Sequence, residues 1–216
     1  FGGVLLPHCR DTTVLDPLKF HSDKIKEKMG FKNKKIVMFL GTLRPHKGVD
    51  DLLAALKIID NPDLKLAIIG AENHHEFLEK VEKSIRHRVV VLPKMPFEKL
   101  PEFLSAADIV AIPQRQTSDS VGQIPARLFD AMSMAKPIIA TRVSDIPEVL
   151  EDCGYLVDPS EPGQLADGIQ YILSHPGEAK AKGYAARERC KQRYDIHNLE
   201  SSLSGLIEQV IAKKAN

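Results

Sequence analysis

The sequence lacks the usual marks of membrane, secreted and nucleic-acid-binding proteins. No apolar run approaches the roughly 18 residues that a membrane-spanning helix needs. The first residues, FGGVLLPHCRD, lack the basic start of a signal peptide. The 30 Lys and Arg are balanced by 29 Asp and Glu, and the two signs are interleaved. Because nucleic-acid-binding domains usually concentrate positive charge on one face, we expect no nucleic-acid partner.

Cysteine is also scarce. Cys9, Cys153 and Cys190 are odd in number, and none belongs to a CxxC pair. This excludes a cysteine-based zinc site and predicts reduced thiols in a reducing compartment, so we expect a cytoplasmic protein. The sequence does not start with Met, which leads us to expect that the chain is part of a longer protein.

A regular alternation of short apolar runs and amphipathic segments begins at Lys35. Segments of helical spacing such as VDDLLAALKII and HEFLEKVEKSI separate runs that are typical of strands buried on both faces. Strands that alternate with helices imply right-handed βαβ units. The predicted fold is therefore α/β, a doubly wound parallel sheet. Its predicted strands are KIVMFLGT, LKLAIIG, RVVVLP, DIVAIPQ, KPIIATRV and GYLVDP.

Helices are predicted from Pro162 to the end of the chain. The last helix carries an apolar stripe that we expect to pack against another domain, formed by Leu199, Leu203, Leu206, Ile207, Val210 and Ile211. Residues 1–30 show no clear period and are predicted to be a linker segment. The predicted division is a linker at 1–30, the α/β domain at 31–195 and a C-terminal helix at 196–216.

A basic loop follows the first predicted strand, at the edge where open α/β sheets bind ligands. The loop GTLRPHKG, residues 41–48, places Arg44 and Lys47 between two glycines. An Arg fork and a Lys point charge suit a diphosphate. The loop has neither the Walker A order nor the G-x-G-x-x-G of a dinucleotide-binding dehydrogenase. A basic surface loop that only caps a helix remains the alternative.

The loop from Gln114 to Pro125 follows the fourth predicted strand and is long for a connection of this kind. It places Pro125 in the first turn of a helix, whose N–H groups and dipole form an anion site. Asp130 lies about 1.5 turns further on, from where its carboxylate could reach a ribose. The alternative is a solvent-facing acid, but its neighbours are apolar and Asp is a poor helix former.

Four stretches together resemble the C-terminal domain of GT-B fold glycosyltransferases, and most closely family 4, the retaining "glycosyltransferase group 1" enzymes. They are GTLRPHKGVDDLLAAL, DIVAIPQ, PARLFDAMSMAKPIIATRVSDIPEVLED and GYLVDP. The resemblance covers nearly the whole chain, in order and at the usual spacing. It implies a Rossmann-like half of a GT-B fold that binds a nucleoside-diphosphate sugar, such as a UDP or GDP sugar, as donor. It implies no required cofactor and no metal.

The resemblance assigns a phosphate role to the basic loop. Lys47 matches the Lys of the family's GRLxxxKG pattern, and Thr42 stands where the family has Arg. We expect Arg44, two residues further on, to take over that contact. In the full enzyme, Arg44 and Lys47 are then expected to stabilise the leaving nucleoside diphosphate.

The family's E-x7-E motif is only half preserved. Asp130 matches the second Glu, which binds the ribose hydroxyls, whereas Gly122 stands where the sugar-contacting first Glu is expected. Asp119 is the nearest substitute, and Pro125 replaces the family's glycine between the two acids. The predicted donor site consists of Gly41, Thr42, Arg44, Lys47, Asp119, Ser120, Gly122, Gln123, Ile124 and Asp130.

The resemblance implies the donor-binding half of a retaining glycosyltransferase of the hexosyltransferase type. The acceptor-binding N-terminal domain is expected to be missing from this chain, which alone should be inactive. The lost acid at Gly122 suggests one alternative, a nucleotide-sugar-binding module without transferase activity. A GT-B-shaped epimerase or phosphorylase is another. We expect the full-length protein in the cytoplasm, with peripheral association at the inner face of the membrane as an option.

Overall fold

The apolar runs of the sequence form the strands of one parallel sheet. The computed structural model describes residues 8–71 and 73–214. Residues 1–7 of the predicted linker segment and residues 215 and 216 of the predicted last helix lie outside the described residues. The side chain of Val210, part of the predicted stripe, also lies outside them.

Strands and helices alternate along the chain in the predicted order. The elements are α1 (Ser22–Lys28), β1 (Lys35–Leu40), α2 (Val49–Ile58), β2 (Leu64–Ala71), α3 (His74–Lys80), α4 (Lys83–Arg86), β3 (Val89–Pro93), α5 (Leu100–Ser105), β4 (Ile109–Ile112), α6 (Ala126–Ser133), β5 (Ile138–Thr141), α7 (Ile146–Leu150), β6 (Tyr155–Val157), α8 (Pro162–Ser174), α9 (Pro176–Arg193) and α10 (Ile196–Lys214).

The six strands run parallel in the order β3-β2-β1-β4-β5-β6. β1 pairs with β2 along its whole length, from Lys35 opposite Leu64 to Leu40 opposite Ile69. The strand order reverses between β1 and β4, so the crevice there is the switch point at which open α/β sheets bind ligands. The predicted fold class, an α/β doubly wound parallel sheet, is confirmed.

The sheet is covered on both faces, because successive side chains of a strand point to opposite sides. In β1, Met38 and its neighbours on one face pack with Leu128 and Phe129 of α6. Phe39 and its neighbours on the other face pack with Leu52 of α2 and with side chains of α8. Burial on both faces explains why the strands read as apolar runs without alternation.

One predicted helix is two helices in the structure. HEFLEKVEKSI was expected to be continuous, but Val81, between α3 and α4, is extended with ψ 133°. Its side chain is buried. The Arg86 guanidinium donates to the Val81 carbonyl at 2.9 and 3.1 Å and to the Glu79 carbonyl. These bonds supply donors to carbonyls that the interrupted helix leaves without their usual partners.

The described part of the predicted linker segment packs on the domain. Leu15 and Ile25 are buried in the core. The Arg10 backbone donates to the Tyr194 carbonyl at 2.8 Å and accepts from the Ile196 N–H at 3.0 Å, which joins the segment to the start of α10. The division into linker, domain and C-terminal helix stays a prediction.

α10 leaves part of its apolar stripe in contact with solvent. Leu199, Leu203 and Leu206 are half-buried, whereas Ile207 and Ile211 are 56% and 63% exposed. The packing of this helix against another domain stays a prediction. Within residues 8–71 and 73–214, no helix is long and apolar enough to cross a bilayer.

Candidate functional site

The candidate site lies beyond the carboxyl edge of the sheet, over the crevice between β1 and β4. Two cavities open there. The first, of about 170 Å³, lies between the end of β1, the end of β4 and the start of α6, and the second, of about 210 Å³, lies between the ends of β1, β2 and β3. They share Leu40, Gly41, Thr42 and Arg127, so they adjoin each other.

Gly48 lets the basic loop approach the end of β4. Pro45–Lys47 form a 3-10 turn, and Gly48 follows it in the left-handed region with φ 72°. A Cβ at Gly48 would lie 1.7 Å from the Pro113 carbonyl oxygen, so a side chain cannot be accommodated without movement. The Arg115 N–H also donates to the His46 carbonyl at 2.8 Å. The loop is therefore held firmly against the end of β4.

The two cations of the basic loop line different cavities. Lys47 lines the first cavity, where its Nζ lies 3.5 Å from Gln114 Oε1. Burial, and then the nearby Arg44 guanidinium, lower the pKa of the Lys47 amine. Arg44 lines an adjoining cavity of about 400 Å³ together with Thr42. An anion bound at Lys47 would offset both the lost hydration and the repulsion, so the arrangement favours anion binding.

Two buried side chains, those of Gln114 and Ser120, fix the conformation of the long loop after β4. The Ser120 hydroxyl donates to the Arg115 carbonyl at 2.6 Å and accepts from the Thr117 N–H at 2.8 Å. The buried Gln114 amide donates to the carbonyls of Ser120 and Gln123 at 3.4 and 3.3 Å. Ser120, a predicted site residue, thus stabilises the loop through its side chain, and its direct contact with a ligand stays a prediction.

The remaining predicted residues of this loop fall into two groups. Asp119 is 77% exposed, and its carboxylate lies 3.9 Å from Nδ1 of His46 in the basic loop. Burial is the main cause that lowers the pKa of His46. By contrast, Gly122, Gln123 and Ile124 line a separate cavity of about 720 Å³ beside α7 and the end of α9. The structure therefore does not gather all the predicted residues around one cavity.

Asp130 is buried and carries two ion pairs. Its side chain has no exposed surface, and its carboxylate accepts from Arg10 Nε through Oδ1 and from Arg127 Nη1 at 2.8 Å through Oδ2. The Arg10 guanidinium also donates to the Ala126 carbonyl at 3.1 Å and lies over the Phe97 ring. A buried carboxylate requires such partners. The predicted ribose contact of Asp130 stays a prediction.

The start of α6 faces the first cavity through its first two residues. Pro125 is the residue before the helix rather than its first residue, and its carbonyl accepts from the Leu128 N–H at 2.9 Å. The N–H groups of Ala126 and Arg127 have no acceptor within the helix, because the first turn never does. Both residues line the first cavity. The anion site predicted at this helix start therefore adjoins the cavity that Lys47 lines.

Sequence reasoning missed three arginines that pair with buried acids, namely Arg10 and Arg127 with Asp130 and Arg115 with Asp51. Arg127 is three residues before Asp130, so a search for (i, i+3) ion pairs would have found it. Arg10 is separated from Asp130 by 120 positions, and no local signal points to it. Arg115 binds Asp51 through two hydrogen bonds of 2.6 and 2.7 Å. This fork–fork pair ties the long loop to α2.

Among the described residues, the cysteines and the potential metal ligands do not form a site at the carboxyl edge of the sheet. Cys153 and Cys190 are buried, and no disulfide joins the three cysteines. Burial raises the pKa of the Cys190 thiol to about 11. Buried thiols of this kind are poor nucleophiles. Within the part of the chain that the structure describes, no three His, Cys, Asp or Glu side chains are grouped to hold a metal ion.

Comparison with known families identifies the family of the chain. A family model described as "Glycosyl transferases group 1" matches residues 21–189. The chain belongs to the group 1 glycosyl transferases. The matched range includes the basic loop, the loop after β4 and the whole of α6. The resemblance to a GT-B group 1 C-terminal domain is confirmed.

Curated relatives of this group 1 chain are considerably longer. It is 28% identical over 190 residues to the GDP-mannose-dependent alpha-(1-6)-phosphatidylinositol monomannoside mannosyltransferase of Mycolicibacterium smegmatis, covering 84% of this chain and 50% of that protein. It is 31% identical over 166 residues to the D-inositol 3-phosphate glycosyltransferase of Corynebacterium diphtheriae, covering 71% and 38%. The chain thus spans half or less of the length of these relatives.

Solved structures share the fold of this group 1 chain. Sucrose-phosphate synthase from Thermosynechococcus elongatus has a TM-score of 0.83 at 22% identity, over 97% of this chain and 53% of that one. The Anabaena protein HepE, solved with UDP, has a TM-score of 0.80 at 20% identity, over 93% and 56%. The C-terminal domain of the group 1 protein LpcC from Francisella tularensis has a TM-score of 0.71 at 20% identity, over 87% and 99%. These likenesses show a common fold.

Proposed function

We propose that this chain is the donor-binding half of a retaining glycosyltransferase. The whole protein would transfer a sugar from a nucleoside-diphosphate sugar to an acceptor held by a second domain. One observation carries the proposal: the partly buried amine of Lys47 and the start of α6 line the same cavity at the switch point of the sheet. The matched relatives are named as glycosyltransferases, and HepE was solved with UDP and with UDP-glucose.

The diphosphate is assigned to the first cavity. Lys47 offers a positive charge, and the N–H groups of Ala126 and Arg127 offer two donors at the positive end of the α6 dipole. Gly41 and Thr42 form the wall at the end of β1. Arg44, in the adjoining cavity, is the proposed second cation for the phosphate farther from the nucleoside.

The nucleobase is assigned to the second cavity. Its lining is largely apolar and includes Met95, Phe97 and Leu100, together with Lys94. Apolar slots with a few polar groups suit a planar ring. Because the two cavities adjoin, we assign the base and the phosphates of one ligand to them.

Charge stabilisation is the proposed contribution of this half to the reaction. Negative charge builds on the leaving nucleoside diphosphate as the glycosidic bond breaks, so fixed positive groups lower the barrier. The backbone of the basic loop and the N–H groups at the start of α6 are fixed by the fold before the ligand binds, which reduces the reorganisation cost. The proposal invokes no cofactor besides the donor, and it includes a cytoplasmic location.

A nucleotide-sugar-binding module without transferase activity is the second candidate. It is favoured by the absence of an acid at Gly122, where the sugar-contacting Glu of the family is expected. Asp119, the proposed substitute, lies near His46 rather than beside Gly122 in the larger cavity. Sugar transfer by the full-length protein would reject this candidate.

Calorimetric titration of the chain with UDP, GDP and their sugars tests the proposal. We expect Lys47→Ala to weaken diphosphate binding by about 1.5–3 kcal/mol, the value of a charge-assisted hydrogen bond. The matched control is Lys57→Ala in α2, where a half-exposed lysine is paired with Glu82 outside both cavities. Equal affinities of all three proteins would contradict the assignment. We also expect the chain alone to bind donor without transferring sugar.

A further inference from the structure

A cavity of about 270 Å³ opens at the amino edge of the sheet, opposite to the edge that carries the candidate site. This amino-edge cavity lies among the starts of β1, β4 and β5, the end of α8 and the first turns of α9. Ile109, the first residue of β4, lines it, whereas Ile112, the last residue of that strand, lines the first cavity. We propose that the amino-edge cavity binds a small phosphate monoester. This inference goes beyond the proposed function and does not depend on it.

The lining of the amino-edge cavity concentrates positive charge. Lys35, Lys136 and Lys180 line it together with one acid, Asp108, so the lining has a net charge of +2. The whole chain has a formal net charge of only +1, because its acidic and basic residues are otherwise interleaved. Charges of one sign that line a cleft focus the electric field there and attract ligands of the opposite sign. The cavity is therefore suited to an anion.

The acid of this lining is already occupied by other partners. Oδ2 of Asp108 accepts from Lys26 Nζ at 2.6 Å and from the Ile36 N–H at 2.8 Å, and Oδ1 lies 3.6 Å from Lys35 Nζ. A separation of 3.6 Å is too long for a strong charge-assisted hydrogen bond. The Lys35 ammonium, on a side chain that is 55% exposed, therefore keeps N–H donors for a ligand.

Lys180 and Tyr184, one turn apart on α9, form the exposed wall of the cavity. The Lys180 amine lies 5.9 Å from the centroid of the Tyr184 ring, and among the described residues it has no hydrogen bond or ion pair. The Tyr184 side chain is exposed and lines the cavity beside Leu173 and Pro176. An apolar surface next to an unpaired ammonium group suits a ligand with a small ring and an anionic group.

The opposite wall is fixed before any ligand binds. Lys136 Nζ donates to the carbonyls of Ser105 and Ala107 at 2.7 and 3.0 Å, so Lys136 adds positive charge from a held position. Ala135 lines the cavity in the left-handed region with φ 52°, and strained residues of this kind cluster at binding sites. A Cβ at Gly183 would lie 2.4 Å from the Ala135 carbonyl oxygen, so α9 packs closely on this turn. A wall that is already in place reduces the cost of binding.

Calorimetric titration with glucose 6-phosphate, inorganic phosphate and glucose tests the proposal. The volume of the cavity lies just below the range of about 300–1,000 Å³ that is typical of ligand sites, so a monosaccharide phosphate is a suitable probe. We expect glucose 6-phosphate to bind most tightly, because it combines the charge with a ring that can contact Tyr184. Glucose or inorganic phosphate that binds as tightly as glucose 6-phosphate would overturn the proposal.

Two variants each remove one cation from the exposed part of the lining. Lys180→Gln and Lys35→Gln should each weaken glucose 6-phosphate by about tenfold or more, the loss of one hydrogen bond between charged groups. The matched control is Lys191→Gln, because Lys191 is also on α9, pairs with Glu188 and does not line the cavity. Circular dichroism checks the fold of each variant. If both lining variants bind within about twofold of the unmodified chain, the proposal is wrong.

UDP separates this site from the candidate site at the carboxyl edge. The affinity for glucose 6-phosphate should be the same with and without saturating UDP, because the two ligands are assigned to opposite ends of β4. Displacement of glucose 6-phosphate by UDP would contradict the proposal. A chain that binds glucose 6-phosphate but no nucleotide would reject only the proposed function. A chain that binds nucleotides but no glucose 6-phosphate would reject only the present inference.

Discussion

The close approach of the basic loop to β4 gives a quantitative prediction for Gly48→Ala. The φ angle of Gly48 is 72°, and the new Cβ would lie 1.7 Å from the Pro113 carbonyl oxygen. The chain provides a matched control in Gly30, whose φ is 73° but whose Cβ would have nothing within 4 Å. Both variants force alanine into the left-handed region, and only Gly48→Ala creates a collision.

The expected losses of unfolding free energy follow from the left-handed backbone and from the collision. Left-handed backbone costs a residue with a Cβ about 1–2 kcal/mol, which is the expected loss for Gly30→Ala. At Gly48 the loop or the end of β4 must also move by about 1.3 Å, since a Cβ does not come closer than 3.0 Å to such an atom. Overpacking of this kind costs about 1–3 kcal/mol, so we expect a total of about 2–5 kcal/mol for Gly48→Ala.

Urea unfolding followed by far-UV circular dichroism measures both losses, because the sequence has no Trp to serve as a fluorescent reporter. Diphosphate titration is the second readout: Gly48→Ala should also weaken binding, since Lys47 moves with the loop, whereas Gly30→Ala should not. Equal losses of unfolding free energy in the two variants would refute the reasoning, because the collision would then cost nothing.

Two further predictions concern the half-buried Lys136 and the buried Cys190. Burial lowers the pKa of Lys136 to about 8. Between pH 8 and pH 10.5, the ordinary pKa of lysine, Lys136 keeps its proton in the unfolded chain but has released it in the folded chain. The free energy of unfolding should therefore rise by about 3 kcal/mol across this pH range. The rise should be absent in Lys136→Met, and parallel pH profiles from urea unfolding would contradict it. Cys190 should react with iodoacetamide at pH 8 no faster than the chain unfolds, because burial holds its pKa near 11. Peptide mass spectrometry measures the labelling rate, and rapid labelling of the folded chain would show that the thiol is accessible.

The sheet could be predicted because its strands are buried on both faces, which leaves an unmistakable pattern of apolar runs. The position of the basic loop after β1 could be predicted as well, since Arg44, Lys47 and Gly48 are close in sequence, whereas its phosphate role stays a prediction. The break at Val81 could not, because the bonds that permit it come from the Arg86 side chain. Local propensity alone favours a continuous helix there.

The ion pair of Asp130 with Arg10 could not be predicted from local sequence patterns. The apolar neighbours of this acid indicated that it has a purpose, but its partner Arg10 comes from a distant part of the chain. Likewise, the separation of Gly122 and Gln123 from the first cavity depends on how the long loop folds on itself. Ser120 and Gln114 determine that shape through hydrogen bonds that no spacing rule anticipates.

The hydrogen bonds of Arg10 have a consequence for the two ends of the α/β body. Its backbone is bonded to Tyr194 and Ile196, and Thr12 is bonded to Asp195, so the chain segments before and after the α/β body pass through one point. The same adjacency means that breaking the bonds between residues 10–12 and residues 194–196 would release both segments together.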